Sequence, residues 1–133
     1  MSKNAKLPGA TLVFPDATAL AERAAEALAR ALRSAVEARG RGTLALSGSS
    51  TPQATYRRLA AHDVPWQAVT ILFVDERAVP PTHERSNYRE ARSSLLESAE
   101  AAGAKVRRMV GEAADLPAEA ARYAALLEAE VAA

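Results

Sequence analysis

Thr43-Leu-Ala-Leu-Ser47-Gly-Ser-Ser-Thr-Pro52 is the stretch whose reading decides the fold. Residues 43–47 form a short run without polar alternation, the pattern of a strand buried on both faces of a parallel sheet. Gly48 then breaks the run, and Pro52 suits the first turn of a helix that Ala54, Tyr56, Leu59 and Ala60 continue to about residue 61. A strand that passes through a tight turn straight into a helix is the first half of a strand-helix-strand crossover. The returning strand follows a Pro65-Trp66 turn: Val69-Thr-Ile-Leu-Phe-Val74 is the strongest β-branched and aromatic run in the chain.

Outward from this core the same alternation continues. On the N-terminal side Leu20, Ala24, Leu28, Leu32 and Val36 recur every four residues, with Asp16 placed as N-cap and Gly40 as stop, which predicts a helix over residues 17–38. Residues 11–14, bounded by Pro8-Gly9 and Pro15-Asp16, predict a strand before it. On the C-terminal side residues 75–86 form a polar loop, Asn87 to about residue 101 a helix, residues 106–110 a short strand, and residues 117–131 a helix with Tyr123, Leu127 and Val131 in one stripe. The order predicts an α/β fold over residues 1–133 as one domain, with a partial doubly wound, mainly parallel sheet. Ligands bind at the carboxyl ends of such strands, where residues 47–52 and 75–88 both lie.

Composition narrows the function. The chain has 133 residues, with Lys+Arg 17 against Asp+Glu 16 and a net charge of +1, which excludes a basic field for nucleic acid or an anionic membrane. Half of the 49% apolar inventory is its 33 alanines, so a thin core is expected. Without cysteine there are no disulfides, thiolate metal sites or Cys nucleophiles. His62 and His83 lie in different loops without ligand spacing, so no metal site is expected. No long apolar run is present, and the first ten residues carry Lys3 and Lys6 instead of an apolar leader, so the expected location is the cytoplasm.

Two segments carry possible chemistry. Ser47, Gly48, Ser49, Ser50 and Thr51 bring hydroxyls and backbone N–H groups to a helix start, which suits a phosphate; alternatively Ser50 or Thr51 only caps the helix. It is neither a Walker loop, for want of a Lys, nor a Gly-x-Ser-x-Gly elbow. In the second segment Asp75 suits orienting a hydroxyl or taking a proton, and Arg77 suits forking onto a phosphate or carboxylate. The alternative there is a local ion pair and a helix capped by Ser86 or Asn87. The acidic residues Glu112, Asp115, Glu119, Glu128 and Glu130 read as a solvated helix face.

Together, Leu44-Ala-Leu-Ser-Gly-Ser-Ser-Thr-Pro52 and Val74-Asp-Glu-Arg-Ala-Val-Pro-Pro-Thr-His-Glu-Arg-Ser-Asn-Tyr88 closely resemble the 6-phosphogluconolactonase family, within the glucosamine-6-phosphate isomerase/deaminase superfamily. Deaminases of the superfamily usually carry an Asp-Glu-Tyr type sequence at the second loop, so Arg77, Val79-Pro80, His83 and Ser86-Asn87 point to the lactonase branch. The resemblance implies hydrolysis of 6-phospho-D-glucono-1,5-lactone in the oxidative pentose phosphate pathway, without a cofactor. It implies Asp75 and Arg77 as catalytic residues, and Ser47, Gly48, Ser49, Ser50, Thr51, Arg77, His83 and Asn87 as substrate-binding ones.

There are two departures. The family typically has Ser-Gly-Gly-Ser-Thr-Pro where this chain has Ser49; if that position needs a positive φ, the Cβ costs about 1 kcal/mol or more. The family's Gly-Met-Gly-x-Asp-Gly-His segment, which supplies its catalytic His, does not occur in the chain, so the resemblance covers roughly the first half of a lactonase. This implies an unpaired sheet edge open to self-association and little activity of the chain alone. The competing expectation is a non-catalytic phosphosugar-binding remnant.

Overall fold

The computed structural model describes residues 9–131. Its centre is a three-stranded sheet in the order β1-β2-β3, made of β1 (Gly42–Leu46), β2 (Val69–Phe73) and β3 (Lys105–Val106), all parallel. The helices are α1 (Ala17–Arg39), α2 (Gln53–Leu59), α3 (Asn87–Ala91), α4 (Glu97–Ala101) and α5 (Leu116–Val131). A π-turn, Arg92–Leu96, joins α3 to α4.

Register explains the core. Leu44 pairs with Ile71 and Leu46 with Phe73, so these four side chains share one face. Ala25, Ala29 and Leu32 of α1, Tyr56 and Leu59 of α2, and Ala91, Leu95, Leu96 and Ala99 of the third helical run join them in one buried cluster. Asp16 caps α1 by accepting from the Ala19 N–H at 2.8 Å, and Gly40 ends it at φ 76°, as the sequence predicts.

The buried stripe of α1 overlaps the one the leucines suggest but is shifted toward the alanines: Leu32 is buried, and Leu28 and Val36 are partly buried against the core. Ala21, Ala25, Ala29 and Leu32 are buried, whereas Leu20 is 50% exposed. Where α1 meets β1, a Cβ at Gly42 would sit 3.4 Å from Leu32 Cδ2 and 3.6 Å from Val36 Cγ2, ordinary packing distances.

Other sequence expectations are corrected. Residues 11–14 form no strand; Leu12 is 65% and Val13 90% exposed, and a β-branched run without a pairing strand gains nothing from extension. β1 is buried on one face only, with Ala45 exposed, while every residue of β2 is buried. The last strand is confined to Lys105–Val106 because Tyr123 interrupts its ladder. The Tyr123 hydroxyl accepts from the Phe73 N–H at 2.8 Å and donates to the Arg107 carbonyl at 2.8 Å, standing where a direct strand-to-strand bond would lie. Burial raises the pKa of this phenol and keeps it protonated.

In α5 the predicted stripe also fails at Val131, which is exposed; Tyr123 is the buried anchor. Its acidic residues are not simply solvated. Asp115 accepts from the Ala118 N–H at 3.0 Å, and Glu112, Glu119 and Glu130 pair with Arg108, Arg122 and Arg107. No helix among the described residues is long and apolar enough to cross a membrane.

Candidate functional site

The loops after β1 and β2 leave the sheet side by side, because Leu46 pairs with Phe73 and the Val74 N–H donates onward to the Leu46 carbonyl at 3.0 Å. Three side chains convert that proximity into a defined geometry. Tyr56 reaches back from α2 and accepts the Ser47 N–H at 2.9 Å, which fixes the end of β1. Asn87, 5% exposed, donates from Nδ2 to Asp75 Oδ1 at 3.0 Å and to the Asp75 carbonyl at 3.3 Å. Its amide also lies against Gly48, where a Cβ would fall 2.3 Å from Asn87 Oδ1. Only glycine leaves room for this contact, so Gly48, Asp75 and Asn87 meet at one point.

Glu76 is the anchor that sequence reasoning missed. Its Oε1 accepts the Arg77 and Asn87 N–H groups, each at 2.7 Å, and its Oε2 accepts the Tyr88 N–H and the Ser86 hydroxyl, each at 3.0 Å. Ser86 Oγ in turn accepts from the Arg89 N–H at 3.2 Å, making Ser86 the N-cap. Glu76 satisfies donors at the start of α3, a favourable place for a carboxylate. No local pattern announces it, since apart from the Arg77 N–H its partners are ten to twelve residues downstream.

Arg77 takes the opposite course. It is exposed and forms no ion pair among the described residues, so the local-pair reading of this arginine has no partner here. Its backbone is braced by Gly111, where a Cβ would lie 2.2 Å from the Arg77 carbonyl oxygen. Arg77 borders a largely apolar cleft of about 370 Å³ that Met109, Leu116, Tyr123 and Leu127 also line. Beside the loop, Arg108 stacks 5.9 Å from the Tyr88 ring centroid and pairs with Glu112, which raises the Arg108 pKa and lowers that of Glu112.

The first loop is less committed. Ser49, Ser50 and Thr51 are exposed, and neither Ser50 nor Thr51 caps α2 with its side chain. The backbone N–H groups of Gly48, Ser49, Ser50 and Thr51 meet no acceptor among the described residues. Ser49 adopts φ 70°, the positive value at which its Cβ was expected to carry a cost. His83 is exposed, and its Nδ1 accepts from the Arg85 N–H at 3.0 Å within its own turn. The structure thus brings Gly48, Asp75 and Asn87 together and keeps the Arg77 and His83 side chains on exposed parts of the second loop. No group of three His, Cys, Asp or Glu among the described residues is arranged to hold a metal ion.

Comparisons with known proteins agree with this architecture. The family described as glucosamine-6-phosphate isomerases/6-phosphogluconolactonase matches residues 15–133. A 6-phosphogluconolactonase of Rhizobium meliloti is 44% identical over 84 residues, covering 63% of this chain and 36% of its own length. One from Synechocystis is 36% identical over 104 residues, covering 78% of this chain and 43% of its own length. The crystal structure of a 6-phosphogluconolactonase from Shewanella baltica superposes with a TM-score of 0.79 at 34% identity, over 86% of this chain and 48% of that one. The chain therefore spans less than half the length of these relatives.

Proposed function

Because the chain belongs to the glucosamine-6-phosphate isomerase/6-phosphogluconolactonase family, we propose that it carries the phosphate- and sugar-holding part of a 6-phosphogluconolactonase. The reaction is the opening of 6-phospho-D-glucono-1,5-lactone to 6-phosphogluconate in the oxidative pentose phosphate pathway. One observation carries the reading: buried Asn87 sits between Gly48 of the first loop and Asp75 of the second, so that a single ligand can span both.

In this scheme the N–H groups and hydroxyls of residues 47–51 receive the phosphate, together with His83 at the rim. Asp75, oriented by Asn87, accepts a sugar hydroxyl. Arg77 is available to neutralise the phosphate or the oxyanion that forms at C1. Asn87 then acts through Asp75, since its amide hydrogens are already directed there. A water oxygen adds to the lactone carbonyl while its proton passes to a base. The carbonyl electrons return as the ring C–O bond breaks, and the ring oxygen takes up a proton to become the 5-hydroxyl. A lactone is already an activated acyl group, so the scheme uses no metal or organic cofactor.

The base belongs to the family's Gly-Met-Gly-x-Asp-Gly-His segment, so the 133 residues, acting as one unit, are expected to bind the sugar phosphate and to add little to spontaneous lactone opening. A phosphorylated substrate does not leave the cell through a bilayer, which supports a cytoplasmic location. β1 pairs only with β2 among the described residues, and its other edge supports self-association.

The test is titration of the isotope-labelled chain with 6-phosphogluconate. Amides of residues 47–52 and 75–88 should shift together, and Arg77→Ala should weaken binding about tenfold or more without lowering stability. Shifts confined to other parts of the molecule would overturn the shared site. Lactone opening by this chain well above the spontaneous rate would make His83 the first residue to mutate.

A further inference from the structure

Ser49 is the sole non-glycine residue with positive φ among those described, at φ 70°. An L side chain is disfavoured there because its Cβ crowds the neighbouring carbonyl. The Ser49 hydroxyl does not compensate, since it makes no hydrogen bond among the described residues. What holds the backbone comes from below the loop. Gln53, 3% exposed, donates from Nε2 to the Ser49 carbonyl at 3.0 Å. Its Oε1 accepts the Ser94 hydroxyl at 2.7 Å, and Ser94 is 5% exposed inside the π-turn.

This relay has a direction. The Ser49 carbonyl can only accept, so it fixes the Gln53 NH2 group on its own side and leaves Oε1 toward the Ser94 hydroxyl, which also lies 3.2 Å from the Ala91 carbonyl and 3.4 Å from that of Glu90. In a trans peptide the C=O and the following N–H point in opposite directions. With the Ser49 carbonyl held inward by Gln53, the Ser50 N–H is aimed away from the core, and it meets no acceptor within the described chain.

We propose that Gln53 is a positioning residue which, backed by Ser94, holds Ser49 in the left-handed conformation and thereby presents the Ser50 N–H to the phosphate of a bound sugar. The ligand part rests on the reading of the loop as a phosphate site; the conformational part does not. It also accounts for how this chain keeps a serine at a position whose backbone favours glycine.

The experiment compares the unaltered chain with Gln53→Met, Ser49→Gly and the double variant. Two quantities are read: the backbone shifts and coupling constant of residue 49 without ligand, and the dissociation constant of 6-phosphogluconate from amide titration. Gln53→Met should abolish the left-handed signature at residue 49 and weaken binding about tenfold, the loss expected for one charge-assisted bond. In the Ser49→Gly background the same substitution should weaken binding less than about threefold, because glycine holds this φ unaided.

An unchanged signature and affinity in Gln53→Met would overturn the proposal, and so would an equal loss in both backgrounds, which would make Gln53 a packing residue. Should Gln53→Met not fold, Ser94→Ala removes the hydrogen bond that backs Gln53 Oε1; it should disturb residue 49 in the same sense but less, and no disturbance would again overturn the proposal. If the unaltered chain binds no 6-phosphogluconate, the functional reading fails and the ligand-free signature alone decides the role of Gln53.

Discussion

The loops after β1 and β2 emerge from neighbouring strands of the same sheet, yet they handle their polar groups in opposite ways. The second directs a carboxylate inward: Glu76 accepts from Arg77, Ser86, Asn87 and Tyr88, and Asn87 holds Asp75. The first leaves the N–H groups of residues 48–51 without acceptors among the described residues and is held from outside, by Tyr56 at Ser47 and Gln53 at Ser49. A loop that satisfies itself is a template, and a loop with open donors is a receptor; here Asn87 against Gly48 lets one shape the other.

The strongest way to break this division is Glu76→Ala. It strips the acceptor from several partly buried donors at once and should cost about 3 kcal/mol, read as a lower urea midpoint at constant slope. Stability within about 0.5 kcal/mol of the unaltered chain would show that the second loop is not self-supporting.

Gly48→Ala attacks the seam itself. A Cβ 2.3 Å from Asn87 Oδ1 must displace that amide, at a cost of about 2 kcal/mol. Its diagnostic is local: amide shifts at Asp75 and Asn87, across the seam from the substitution. Shifts limited to residues near position 48 would mean the loops are independent.

The smallest effect concerns the brace behind the second loop, where Val110 donates to Glu119 beside Gly111. Hydrogen bonds from Arg122, then the Val110 N–H, lower the Glu119 pKa from 4.5 to about 2. A carboxyl depressed by folding contributes stability above its ordinary value and loses it as pH falls through the folded one. The Val110 amide should therefore exchange faster, relative to its intrinsic rate, as pH drops from about 4.5 to about 2. In Glu119→Gln this acid-dependent part should vanish, and an unchanged pH profile would remove Glu119 from the brace.

How much of this was legible varies with the range of the interaction. The cap and stop of α1 were readable, because Asp16 and Gly40 act on backbone within four residues. The buried stripe of α1 was readable in part: Leu28, Leu32 and Val36 face the core, but its centre on Ala21, Ala25 and Ala29 depends on the approach of α1 to its neighbours. Residues 11–14 have strand composition but no strand partner. At the site, Gly48 and Ser86 could be singled out from turn and cap chemistry, whereas the Glu76–Ser86 and Gln53–Ser94 contacts join residues ten and forty-one apart.

The sequence by itself determined the α/β alternation, the two loops at adjacent strand ends and the lactonase-like motifs within them, since periodicity, turn residues and spacing are local properties of the chain. Only the tertiary structure decided that Glu76 turns inward while Arg77 stays outside, that Asn87 faces Asp75 and Gly48, and that a buried glutamine supports a left-handed serine. Those outcomes follow from the register of β1 on β2 and the seating of the third helical run beside them. Packing sets which polar groups lose water, and each that does must find its partner wherever the fold has placed one.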